Sequence, residues 1–425
     1  MRITLKNLWK RRKQNAWICV ELVLVSVVSW VVIDPLFVIV YNTFWESDGY
    51  DADRLCILTT RVKNQQLEEV AENMEVIKMK LKNMDGVESV SLTYERCFPN
   101  GDGMGISSFF GVPDDTAKWF CASMMILHSG EDMYKTMGLK VLDGNTDEEG
   151  EVITQSLAMA LFGRTDVVGA TINEYHNFPS MVTPEQIRQY RIAAVVEDVR
   201  MDNMVNCRFC VFRSRDKLLV SDQSELLVRL KEGVDAAAFC ARLRSVMQRE
   251  LSSGSLFVCK AQTMDELVDF RLRFQNVTGS IRRYISLVIF FMVNLCLGTI
   301  GTFWLQTRKR REEIGIMRSF GASKQRIMQS FLLEGFVLTT LCHLLGCVLF
   351  LQYAVVNGLS VGLFYFGDLS LLQRIGDTWL NHFVPHFLAV GSLIYFILLI
   401  TVTAGIAIPV WHSSRQKPVE ALQTS

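Results

Sequence analysis

Four stretches of this chain are apolar enough, over enough residues, to cross a bilayer, and they constrain everything else. Residues 16–41 carry only Glu21 and Asp34 as charged side chains, 284–305 carry none, 330–356 enclose Glu334 and His343, and 387–411 carry none. Each meets the roughly 20 residues that a helix needs to span hydrocarbon. The first stretch is longer than the core of a secretory signal and no small-x-small cleavage site follows it, so it reads as a retained anchor. Over the whole chain the 44 Lys and Arg balance the 44 Asp and Glu. That balance excludes both a strongly basic nucleic-acid binder and an acidic disordered chain.

Orientation follows from the basic residues next to the spans, because they resist translocation. Arg2, Lys6, Lys10, Arg11, Arg12 and Lys13 precede span one, and Arg308, Lys309, Arg310, Arg311, Arg318, Lys324 and Arg326 lie between spans two and three. The loop at 357–386, between spans three and four, holds Arg374 alone. Both termini therefore face the cytoplasm. The reading is a four-helix transmembrane protein, N-in and C-in: a basic N-terminus at 1–15, a large extracytoplasmic segment at 42–283, a cytoplasmic segment at 306–329, the external loop, and a tail at 412–425. Arg282 and Arg283 oppose it, but they end a long translocated segment, where the rule is weak.

The outer segment has the texture of an α/β domain. Strands are expected at 54–60, 87–94, 107–112, 151–154, 190–196, 225–230 and 256–260, and helices at 67–83, 156–162 and 236–251. Residues 264–281 are helical in pattern and run into span two without Pro, which predicts one long stalk helix.

Several motifs were weighed against chemistry. Cys19, Cys296, Cys342 and Cys347 lie in spans, where a thiol is a small apolar filler. Cys56, Cys97, Cys121, Cys207, Cys210, Cys240 and Cys259 lie outside, an odd number. The pair Cys207 and Cys210 lacks both the second pair of a zinc ribbon and the helix start of a redox motif, so reduced packing cysteines are expected. Asp143, Asn145 and Asp147 imitate the start of a calcium loop, but Glu148 stands where its glycine should be and Thr154 where its Glu should be, which leaves a polar turn. Gly101, Gly103 and Gly105 lack the spacing of a phosphate cradle. His382 and His386 are two imidazoles without a third ligand, read as interfacial. Glu21, Asp34 and Glu334 read as snorkelling or helix-packing groups. No GxxxxGK[ST], GxSxG or HExxH occurs, so no catalytic, cofactor or metal site is expected.

The informative segment follows span two. Ile314, Met317 and Phe320 recur at three-residue spacing, with Glu312, Glu313 and Arg318 off that face, making a short amphipathic helix at the membrane surface. Gly315 suggests close approach of another backbone, Ile316 adds to the apolar content, Gly321 can stop the helix, and Ser323 can cap the next one.

The run EEIGIMRSFGASKQRIMQSFLLEG closely resembles the REIGILRALGAS…I…FLLE signature of FtsX-like and MacB-type permeases, the four-span subunits of ABC systems. Residues 132–144, 152–158 and 192–199 resemble the MacB-like periplasmic core, and the tail around Pro418, Ala421 and Leu422 is similar to the family's closing motif. The resemblance implies a non-catalytic permease of a bacterial inner membrane, driven through Glu312 to Gly321 by a separate P-loop ATPase that holds ATP and Mg. That ATPase is expected as a separate polypeptide because only fifteen residues precede span one. A homodimer or a heterodimer with a related permease is implied, together with a periplasmic adaptor and an outer-membrane channel. Two functions stay open: export or extraction of a periplasmic substrate by mechanotransmission, and FtsX-like signalling to an external partner such as a cell-wall hydrolase. A sensor or scaffold without an ATPase is a third class, which the coupling helix disfavours. The loop between spans three and four is long for the family, with an apolar stretch at 355–366 that can lie at the interface.

Overall fold

The structure is a computed structural model, describing residues 12–63, 69–93, 98–100, 106–128, 131–176, 181–201, 209–215, 224–309, 320–360 and 379–414. The chain forms two compact units.

The first unit contains the four expected spans as helices. Span one is Arg12–Val40, span two Val277–Lys309, span three Lys324–Asn357 and span four Phe383–Ser414. Each is apolar on nearly all sides, so hydrophobicity alone does not choose which face packs. Shape and small residues choose it instead. Trp30 is fully buried, stacked between Phe350 and Phe387 at centroid distances of 4.8 and 4.5 Å. Gly346 lets span three close onto Ser26 of span one, and a Cβ there would collide with the Ser26 hydroxyl.

The second unit is the α/β domain. Its strands are β1 (Leu55–Val62), β2 (Val87–Thr93), β3 (Ile106–Val112), β4 (Asp115–His128), β5 (Val141–Gly144), β6 (Glu151–Thr154), β7 (Thr171–Tyr175), β8 (Arg188–Val196), β9 (Cys210–Arg215), β10 (Glu225–Leu230), β11 (Ser252–Ser253) and β12 (Leu256–Thr263). Its helices are α1 (Val70–Lys82), α2 (Met133–Met137), α3 (Gln155–Phe162), α4 (Ala236–Glu250) and α5 (Met264–Phe274). All seven expected strands and all three expected helices are present, with ends shifted by a few residues.

Two sub-layers share this sheet. An open antiparallel part runs β11-β12-β1-β10-β2. The rest closes on itself: β4 pairs β3, β3 pairs β7, β7 pairs β8, β8 pairs β6, β6 pairs β9, and β9 returns in parallel to β4. This ring of six strands is a small barrel, which removes the free edges an open sheet would expose. Only the end of β4, Leu127 opposite Thr93, joins it to β2.

Strand alternation builds three cores. Cys56 and Leu58 of β1, with Leu226, Val228 and Leu230 of β10, face the helix layer, where Val70, Met74, Ile77 and Leu81 of α1 meet Phe239, Cys240, Leu243 and Met247 of α4. Leu55, Ile57 and Leu227, on the opposite face, pack with Met125, Leu127 and Phe212. Ala122, Met124 and Ile126 of β4 join Phe110, Ile153, Leu157, Ile192 and Val211 in the third core. Asp235 starts α4 by accepting from the Ala237 and Ala238 amides, a side-chain N-cap.

One expectation is overturned. Residues 264–281 are not a single stalk helix: α5 ends at Phe274, Asn276 adopts a left-handed φ of 57°, and a new helix begins at Val277. Asn is among the few residues that tolerate this conformation, so the break needs neither Gly nor Pro.

Candidate functional site

The expected coupling segment is only partly described. Glu312, Glu313, Ile314, Gly315, Ile316, Met317 and Arg318 lie outside the described residues; Phe320 and Gly321 lie within them. Phe320 is 88% exposed, although it is a large apolar residue. Gly321 has φ +85°, the left-handed conformation of a helix stop. Ser323 then accepts from the Arg326 amide at 3.3 Å and caps span three, whose first buried side chains are Ile327 and Phe331. An exposed aromatic, a left-handed glycine and a helix cap therefore follow in order.

Where span one ends, the chain tightens into a π-helical turn, Tyr41–Trp45, closed by the Glu46 amide donating to Tyr41 O at 3.0 Å. Arg200, 1% exposed, grips this turn. Its guanidinium donates to Asn42 O, to Glu46 O at 3.2 Å and to Asp48 Oδ1 at 2.6 Å, while its own amide donates to Asp48 O at 2.9 Å. Two residues earlier, Asp198 accepts from the amide and hydroxyl of Ser156 at the start of α3. The segment Asp198 to Arg200 thus ties residues 42–48 of the α/β domain to α3. Sequence reasoning passed over Arg200, because one arginine in a loop carries no periodic or motif signal. Before span four, Trp379 Nε1 donates to the Tyr41 hydroxyl at 2.9 Å, so the end of the external loop also touches this turn.

Inside the barrel wall a second arginine is buried. Arg213 of β9 donates to Glu151 of β6, lies 3.0 Å from Glu174 of β7, and sits over the Tyr190 ring at 4.1 Å. Burial alone would raise the Glu174 carboxyl, but Arg213 outweighs it and holds the group below the ordinary carboxylate value. This trio is paired across three strands.

The ionisable groups of the spans are packing ties. Asp34 is nearly buried, lies 2.9 Å from His386 Nε2, and accepts from the Ser360 amide at 2.9 Å. His386 is therefore not interfacial, as expected from sequence, but fully buried. His343 Nδ1 is 2.9 Å from the Ser26 hydroxyl and Nε2 is 3.3 Å from Cys347 Sγ. Glu21 lies against Gly298 of span two.

The remaining motifs are placed as follows. Asn145 forms a polar turn, its side chain accepting from the Asp147 amide at 3.0 Å. Among the described residues no group of three or more His, Cys, Asp or Glu could hold a metal ion. Gly101, Gly103 and Gly105 lie outside the described residues. So do Cys97 and Cys207, whereas Cys56, Cys121, Cys210, Cys240 and Cys259 are free thiols.

Four apolar helices with a large α/β domain inserted between the first and second define a multi-pass membrane protein of a particular build. Residues 285–418 match the FtsX-like permease C-terminal family. An uncharacterized ABC transporter permease of Methanocaldococcus jannaschii is 22% identical over 355 residues, covering 81% of this chain and 77% of that protein. The macrolide export ATP-binding/permease protein MacB 2 of Aeromonas hydrophila is 23% identical over 316 residues, covering 71% of this chain but 43% of that protein, so the match spans less than half of that relative. Among solved structures, the periplasmic region of MacB from Actinobacillus actinomycetemcomitans aligns with a TM-score of 0.30 and 12% identity, over 54% of this chain and 96% of that one. The extracellular domain of the noncanonic ABC-type transporter YknZ from Gram-positive bacteria aligns at 0.28 and 14%, over 48% and 100%. Residues 285–418 thus resemble the FtsX-like permease C-terminal family, and the chain as a whole is similar to ABC transporter permeases.

Proposed function

We propose that this chain is a non-catalytic permease subunit that couples ATP hydrolysis by a separate ATPase to export or extraction of a substrate on the outer side. The observation that carries the reading is the exposed Phe320, beside the left-handed Gly321, within the stretch that matches the FtsX-like family. An apolar ring left in water at a span end is suited to filling a groove on another protein. ATP and Mg would be held by the ATPase, and the permease would work as a homodimer or beside a related permease. A periplasmic adaptor and an outer-membrane channel would complete the path of the substrate.

Mechanotransmission in this chain would run through span one rather than a stalk. The Asn276 break interrupts the helix leading to span two, whereas the residues that follow span one in sequence, Asn42 to Asp48, are held within the α/β domain by Arg200 through three acceptors. A domain with three separate cores favours work on an external substrate over signalling alone.

The test is co-purification with the ATPase and its turnover. Gly315→Trp should abolish binding or coupled turnover while the outer domain stays folded, and neutralising Lys309 and Arg310 together should have little effect. Full coupling in Gly315→Trp, with loss in the double variant, would reverse the assignment to simple resting on lipid headgroups.

A further inference from the structure

The helix layer of the outer domain holds two sulfurs within its apolar core. Cys56 on β1 and Cys240 on α4 are both 0% exposed, and their Sγ atoms are 3.2 Å apart. Beyond Cys240, the polar contact given for Cys56 Sγ is Ala236 O, at 3.9 Å. A disulfide bond is about 2.05 Å long, so the sulfurs need to approach by little more than about 1 Å, within reach of small side-chain rotations. The residues are 184 positions apart in sequence. The bond would therefore tie the first strand after span one to the helix preceding β12 and α5, closing nearly the whole domain into one loop.

We infer that Cys56 and Cys240 form a structural disulfide once the outer domain has been translocated. Disulfides persist in periplasmic and extracellular compartments and are rare in the cytosol, so the inference rests on the outer placement of this domain. Oxidation removes two protons and two electrons from the thiols. The acceptor is a disulfide of a thiol-disulfide oxidoreductase. One cysteine thiolate attacks it to give a mixed disulfide, the second displaces the oxidoreductase, and the acceptor leaves as a dithiol. The hydrogen bond to Cys240, and then burial, push the Cys56 thiol far above its ordinary value in the folded domain, and no oxidant reaches a fully covered pair. Oxidation therefore precedes the docking of α4 or occurs during its local opening.

The chain contains its own control. Cys19 and Cys342 are also in thiol-thiol contact, but they lie in spans one and three, where hydrocarbon excludes both thiolate and oxidoreductase. That pair stays reduced. Cys121 stays reduced as well: burial pushes its thiol up to about 11.

The experiment uses the full chain in membranes, acid-quenched, denatured and alkylated with iodoacetamide before non-reducing proteolysis and mass spectrometry. The expected result is a linked peptide pair containing Cys56 and Cys240, released by reductant, with Cys19 and Cys342 alkylated from the start. Recovery of Cys56 and Cys240 as alkylated peptides without reduction, or linked to other cysteines, overturns the inference. A parallel Met181→Cys variant, at a residue 75% exposed, reports the side of the membrane through labelling by an impermeant maleimide in spheroplasts. Labelled Met181→Cys with free Cys56 and Cys240 overturns the disulfide alone. Unlabelled Met181→Cys with free thiols overturns the outer placement and the disulfide with it.

Discussion

The two units of this protein handle buried polarity in opposite ways. The outer domain folds in water, where burying apolar area drives collapse, and it holds charges deep inside by surrounding them: Arg213 between Glu151 and Glu174, and Arg200 with three acceptors from one turn. The span unit is apolar on all sides. Its polar groups meet in small local contacts, such as Asp34 with His386 and Ser360 and His343 with Ser26 and Cys347, between faces selected by glycine and by Trp30. Charge networks fix geometry in the first unit, and close steric fit fixes it in the second.

This contrast can be broken by experiment, beginning with the largest effect. Arg213→Met should destabilise the outer domain by about 3–5 kcal/mol, because it strands two buried carboxylates. The check is chemical denaturation of the detergent-solubilised chain, and a loss below 1 kcal/mol would mean that the trio is hydrated. Aromatic truncation should separate the units. Phe212→Ala should cost about 3–5 kcal/mol in the outer core, while Trp30→Ala should cost less than half as much, since an unpacked span still keeps its indole in lipid. Equal losses would show that burial from water also drives the span unit. Asp34→Asn should cost about 1 kcal/mol, in the range of polar contacts between spans. Its readout is the span unit's own unfolding transition in mild detergent.

The smallest effect depends on pH. Glu174 has its carboxyl value lowered in the folded state. Its stabilisation is therefore fully present above the ordinary carboxylate value and is lost as pH falls through the lower folded value. The melting temperature of the outer domain should decline as pH drops below about 4.5, the ordinary value, and Glu174→Gln should flatten that decline. An unchanged acid limb in the variant would place the titration elsewhere.

The same contrast explains what the sequence could reveal. Strands such as β1 and β10 were legible because flanking polar residues bounded their apolar runs. β4 was missed because its two faces pack into two cores: Ala122, Met124 and Ile126 face one, Met125 and Leu127 the other, so alternation disappears. β9 was missed for the same reason, with Val211 and Phe212 buried on opposite sides. The spans were legible by length, but their packing faces were not, because apolar residues cover them all round. The stop at Gly321 and the cap at Ser323 were legible from local chemistry alone. The grip of Arg200 was not, since its acceptors lie over 150 residues away in sequence. The helix break at Asn276 left only one faint trace, the Asn itself.

The central claim is that the segment ending at Phe320 docks on an ATPase in the cytoplasm. Phe320→Cys, at a side chain already open to water, can be labelled with a maleimide in inverted membrane vesicles. Labelling should be fast in vesicles holding the permease alone, and at least about tenfold slower once the ATPase is bound, as expected for a residue desolvated at the centre of an interface. Equal labelling with and without a stably bound ATPase would contradict the claim.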